Sequence, residues 1–117
     1  MTKITFLKRD GIYYGFRETG HADYSSAGDD IVCAALSSMT MLIVNAIEVS
    51  YASNVDYTID ESTADIKVVA LGALPEYSDD EKKRLAISGL IQAYYFQLND
   101  MLEDYYDYID VSETEEF

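Results

Sequence analysis

The apolar run at residues 31–47 limits what this chain can become more than any other stretch. It follows Gly28-Asp29-Asp30, begins Ile31-Val32-Cys33-Ala34-Ala35-Leu36-Ser37, and continues through Met41, Leu42, Ile43 and Val44 to Ile47. A run of this length without Gly or Pro reads as a helix, from about residue 29 to 49. With so little polar interruption it should be covered on most sides, by sheet, by a second helix or by a partner subunit. Ser37, Ser38, Thr40 and Asn45 make it too polar, and it is too short, to cross a hydrocarbon layer of about 30 Å. The expected environment is therefore a protein core.

The segments on either side indicate how that core is closed. Ile4 and Phe6 alternate with Thr5 and Leu7, then Asp10-Gly11 precedes Ile12-Tyr13-Tyr14-Gly15-Phe16. Asp-Gly between two β-rich runs is a hairpin signal, because both central positions of a type I′ turn need positive φ. The second strand should run to about Thr19 and deliver Gly20 and His21 at its end. Residues 22–29 are small, polar and bounded by glycine, which reads as a loop.

Further on, Val55, Tyr57 and Ile59 alternate with polar positions, and Ile66, Val68, Val69, Ala70 and Leu71 follow across Asp60-Glu61-Ser62-Thr63, a second hairpin. Ser78-Asp79-Asp80-Glu81 has the form of a capping box with Ser78 at the N-cap. After it, Ile87, Leu90, Ile91, Tyr94, Leu98, Met101 and Leu102 recur at helical spacing. The order β-β-α-β-β-α predicts an α+β domain, two helices packed on a small and mainly antiparallel sheet. Residues 1–104 are expected to form this single domain. Residues 105–117 carry many acids and no base, and are expected to fray into a flexible acidic tail.

Charge narrows the partners. Against 22 acidic residues stand 8 Lys and Arg, a formal net charge of -14. Nucleic acid binding needs a basic face and is not expected, whereas a basic protein would be attracted. With a single cysteine no internal disulfide framework exists, and residues 1–9 read as a strand and not as a targeting segment. A cytoplasmic protein, without a membrane partner, is the expectation.

Cys33 is the one cysteine and His21 the one histidine. A cysteine nucleophile needs a thiolate fraction, a base within hydrogen-bond reach and donors for a developing oxyanion. The start of a helix favours an anion, His21 lies one loop upstream, and backbone N–H groups around Cys33 offer the donors. Yet a cysteine in an apolar helix is also what a small buried hydrophobe looks like, and a lone histidine in a loop often only bonds backbone. Asp29 and Asp30 oppose a low thiol pKa. Asp30 has two readings, orienting the imidazole, or capping the helix or ordering the loop, and the second fits better. Ser37, one turn after Cys33, either faces the site or bonds back to its own helix. One His and one Cys fall short of a zinc set, so no metal or other cofactor is expected. The residues by themselves leave the catalytic and structural readings open.

Gly20-His21-Ala22, followed after a short loop by Gly28-Asp29-Asp30-Ile31-Val32-Cys33-Ala34-Ala35-Leu36-Ser37, resembles the signature of the ribosomal-processing cysteine protease family, Prp. The resemblance implies that Cys33 is the nucleophile and His21 its general base, with Gly20, Gly28, Asp30 and Ser37 at motif positions around them. It implies a substrate as well: the precursor of the twenty-seventh large-subunit ribosomal protein, from which a short N-terminal extension is cut after a hydrophobic segment ending in Phe-Phe. Members occur in Firmicutes and relatives and are generally homodimers. The acidic, tyrosine-rich end has no counterpart in that picture. The charge balance alone fits a second class, a non-catalytic acidic binding protein that associates with the ribosome and holds a basic partner without cutting it.

Overall fold

The computed structural model describes residues 1–20 and 27–116, with the backbone alone for 27–30. Strands β1 (Thr2–Arg9) and β2 (Ile12–Thr19) form the first hairpin, and helix α1 (Ala27–Asn45) follows, closing in a π-helical turn at Ala46–Ser50. Strands β3 (Asp56–Ile59) and β4 (Ile66–Val69) form the second hairpin, a 3-10 turn spans Leu71–Ala73, and helix α2 (Glu81–Tyr105) leads to strand β5 (Ile109–Glu115). The sheet order is β3-β4-β2-β1-β5. β5 runs parallel to β1, and every other neighbour is antiparallel.

The expected α+β order is present, with one strand added. Asp10 and Gly11 have φ of 52° and 78°, the left-handed pair that the tight turn requires. Between Leu7 and Lys8 the register slips by one residue, a β-bulge. Gly15 sits where β2 passes β4 so closely that a Cβ would collide with the Val68 carbonyl oxygen.

One face of the sheet carries Ile4, Phe6, Phe16 and Val68, all fully buried. Both helices lie on that face. The Tyr94 ring of α2 packs edge-on against Phe6 and Phe16, with centroids 5.6 and 5.1 Å away. α1 contributes Val32, Leu36, Ile43 and Ile47 to the same core. Its opposite side is open: Ile31, Leu42 and Val49 are 59%, 64% and 74% exposed. The expectation that α1 is covered on most sides does not hold within one chain, because the sheet and α2 reach one stripe of it only. By length and hydropathy residues 31–50 would suffice for a membrane span, contrary to the reading from polarity. What ties the helix to the core is its buried stripe.

Two further details differ from the sequence reading. The N-cap of α2 is Asp80, whose carboxylate accepts from the Lys83 amide at 3.1 Å, and not Ser78, whose hydroxyl accepts from the Asp80 amide one step earlier. More consequentially, the expected flexible tail is strand β5. Its acids and Glu116 just beyond it find distant partners: Glu113 receives Lys8 Nζ at 3.0 Å and Tyr13 OH at 2.6 Å, and Glu116 receives Arg17 at 2.9 Å. The Glu115 carboxylate accepts from the Asp10 and Gly11 amides at 2.9 and 3.1 Å, closing over the hairpin turn. Tyr13 and Lys8 hold the Glu113 carboxyl below the usual carboxylate range.

Ile109 anchors β5 in the core, and full burial of such a side chain is worth roughly 1.5–3 kcal/mol. Deleting residues 109–117 should therefore lower the unfolding free energy by more than about 2 kcal/mol in urea titrations, since the β1 edge is uncovered as well. An unchanged midpoint would mean that β5 is an accessory.

Candidate active site

The candidate residues singled out from the sequence cluster along the chain where β2 ends and α1 begins. Gly20 terminates β2 with φ of 88°, and a Cβ there would strike the carbonyl oxygen of Met1. Only glycine allows both the left-handed backbone and the close approach to the chain start. Gly20 thereby sets the direction in which the chain leaves the sheet toward residue 21. His21 itself lies outside the described residues.

Cys33 is half-buried on α1, directly after the buried Val32. With α1 starting at Ala27, Cys33 is the seventh helical residue, about 9 Å along the axis from the start. Unpaired amides and most of the dipole effect belong to the first turn. The helix end is thus a weaker source of thiolate stabilisation than a place in the first turn would offer. Gly28 and Asp30 lie in the first turn of α1. Asp30 is inside the helix, past the N-cap position, so the capping role is not its own. Ser37 is exposed while Cys33 is half-buried.

Behind this region is a feature the sequence reading passed over. Glu18, two residues before Gly20, is fully buried. Its Oε1 accepts from Thr40 Oγ1 of α1 at 3.0 Å and from Tyr94 OH of α2 at 2.7 Å. Thr40 is also buried, and Tyr94 nearly so. A signal was available: strand alternation puts Glu18 on the same face as Phe16. Burial holds the Glu18 carboxyl above the usual carboxylate range, partly offset by the two hydrogen bonds, and burial beside Glu18 pushes the Tyr94 hydroxyl up so that it remains a donor.

The larger open cleft, about 590 Å³, lies at the other end of α1, between Glu48, Asn54, Asp56, Tyr77 and Lys83, and Cys33 does not line it. A smaller apolar cleft separates α1 from α2 between Met39, Leu42, Leu90 and Ala93.

The family model of the cysteine protease Prp matches residues 1–110. The chain belongs to that family and is a cysteine protease. Among solved structures, SMU.848 from Streptococcus mutans is 28% identical, with a TM-score of 0.77 and coverage of 99% of each chain. The essential ribosomal processing protease Prp from S. aureus, in complex with a substrate peptide, is 21% identical, with a TM-score of 0.78, over 97% of this chain and 100% of that one. The same protease with a covalently linked product peptide is 23% identical with a TM-score of 0.74, at the same coverage. Among curated proteins, none matches.

Glu18 gives the fold a pH dependence of definite sign. Its folded pKa is above the unfolded value, near 4.3, so its contribution to stability is complete below that value and is lost as pH rises through the folded one. In urea titrations, Glu18→Gln should therefore gain stability relative to wild type as pH is raised from about 4. A wild-type-minus-variant difference independent of pH would show that the carboxyl keeps its ordinary pKa.

Proposed function

We propose that this cysteine protease removes the short N-terminal extension from the precursor of the twenty-seventh large-subunit ribosomal protein, cutting after a hydrophobic segment that ends in Phe-Phe. Cys33 is the nucleophile and His21 the general base. One observation carries the assignment of the nucleophile: the chain belongs to a family of cysteine proteases over residues 1–110 and contains one cysteine. The S. aureus structures with substrate and product peptides support the substrate class through the shared fold. A net charge of -14 suits a strongly basic ribosomal protein, whose approach it would accelerate.

In the reaction His21 takes the Cys33 thiol proton, and the thiolate attacks the scissile carbonyl, forming a C–S bond. Backbone N–H groups around Cys33 or in the loop that precedes α1 hold the oxyanion. When the tetrahedral intermediate collapses, the C–N bond breaks and the imidazolium returns its proton to the leaving amine. Water then attacks the thioester, His21 accepts its proton, and the thiol is regenerated as the acid product leaves. No cofactor enters. The same reading places the enzyme in the cytoplasm as a homodimer, and the exposed apolar side of α1, with Ile31, Leu42 and Val49, supplies a surface that a second copy would cover.

Cys33→Ala should reduce cleavage of a precursor peptide bearing the Phe-Phe site by at least about 10³-fold, read as product mass, and His21→Ala should do likewise. Retained cleavage in the first variant would refute the nucleophile, and in the second the base. A salt-sensitive complex of wild type with the precursor, and no shortened product, would favour the binding-protein reading instead.

A further inference from the structure

The acceptor at the junction of β2, α1 and α2 is a glutamate where packing alone would take an apolar side chain. Every neighbour that bounds it in the sheet is apolar: Ile4 is its cross-strand partner on β1, and Ile66 its partner on β4. Burying a carboxyl there costs stability unless it is hydrogen-bonded, and even bonded it is seldom better than a hydrophobe of equal size. The Thr40 and Tyr94 hydroxyls converge on the same oxygen, one from each helix. Such an arrangement adds direction rather than affinity between the layers, because hydrogen bonds are angular and apolar contacts are not.

Its place in the fold says what is being directed. Thr40 stands seven residues after Cys33 on α1, two helical turns along nearly the same face. Glu18 stands two residues before Gly20 and three before His21 on the chain leaving β2. A link from Glu18 to Thr40 therefore fixes the axial position and rotation of the helix that carries the thiol, measured against the strand that leads to the imidazole. Tyr94 completes it from α2, its ring already held by Phe6 and Phe16. We propose that Glu18, through Thr40 and Tyr94, is a positioning residue for the protease site, setting Cys33 in register with the end of β2. The proposal rests on the assignment of Cys33 and His21 made above. Glu18 acts through α1, by way of its contact with Thr40. The geometric demand on such a dyad is steep, since a misplacement of about 1 Å can cost on the order of 10²-fold in rate.

The test uses the full chain with four variants: Cys33→Ala, Tyr94→Phe, the double variant Thr40→Val with Tyr94→Phe, and Glu18→Gln. Cleavage of the Phe-Phe peptide is measured as kcat and KM, together with the pH profile of Cys33 alkylation by iodoacetamide and cooperative unfolding by circular dichroism. The double variant should lose about tenfold or more in kcat with KM changed less than about twofold, and Tyr94→Phe alone should fall between it and wild type. The alkylation inflection should move away from its wild-type position. Glu18→Gln should retain kcat within about threefold, because an amide oxygen accepts from the same two donors. Wild-type kcat and an unmoved inflection in a folded double variant would overturn the proposal, as would loss of cooperative unfolding in Tyr94→Phe, which would make the contact a support of the fold and not of the site. Cleavage surviving in Cys33→Ala would overturn the underlying dyad instead, and the two failures are read from different variants.

Discussion

The packing of one side chain, Tyr94, holds the layers of this molecule together. Its ring packs edge-on against Phe6 of β1 and Phe16 of the central strand β2, and its hydroxyl reaches Glu18. Apolar contact sets the separation between α2 and the sheet, and the hydrogen bond sets the rotation of the ring. α1 comes into the same arrangement through Thr40. The layer that places Cys33 is thus located by a polar contact embedded in an aromatic cluster, and a change in either part is transmitted to the helix that carries the thiol.

Most of the fold was legible in local pattern. Asp10-Gly11 predicted its turn because the backbone there has few alternatives, and the three-and-four spacing of Ile87, Ile91, Tyr94 and Leu98 predicted the buried stripe of α2. The last strand was not legible for a definite reason. Residues 109–116 look like a solvated acidic tail when only near neighbours are counted, whereas the cations and amides that satisfy Glu113, Glu115 and Glu116 belong to β1, β2 and their turn, about a hundred residues earlier. Composition cannot see a partner at that separation. Parallel pairing adds to the difficulty, since no hairpin turn announces it.

The candidate site divides along the same line. Cys33 and Gly20 were singled out through residue type and motif, and the structure supplies a backbone reason for glycine at position 20. Glu18 was missed because a glutamate within a strand ordinarily points at water. Strand alternation with Phe16 contained the contrary signal, but Ile12-Tyr13-Tyr14-Gly15-Phe16 has apolar residues on both faces, which hides the period of two. Asp30 erred in the opposite way: its type suited a cap, and the helix starts three residues earlier.

The two sheet edges differ from the outer face of α1 in a way that bears on assembly. β3 is four residues long, and β5 presents Asp110, Glu113 and Glu115, so neither offers a neutral, extended strand for pairing with another copy. Like charges would face one another across any β5–β5 contact, and with a net charge of -14 the whole surface resists close approach except where it carries no acids. From Ile31 to Leu42 the outer side of α1 meets that condition, with Ala34, Ser38 and Met41 between them, small enough in part for helices to come near. Edge repulsion and an uncharged helix face favour the same geometry for the proposed dimer, helix against helix. Because this face belongs to the helix that carries Cys33, such a contact would also restrain the element that Glu18 and Thr40 hold from the other side.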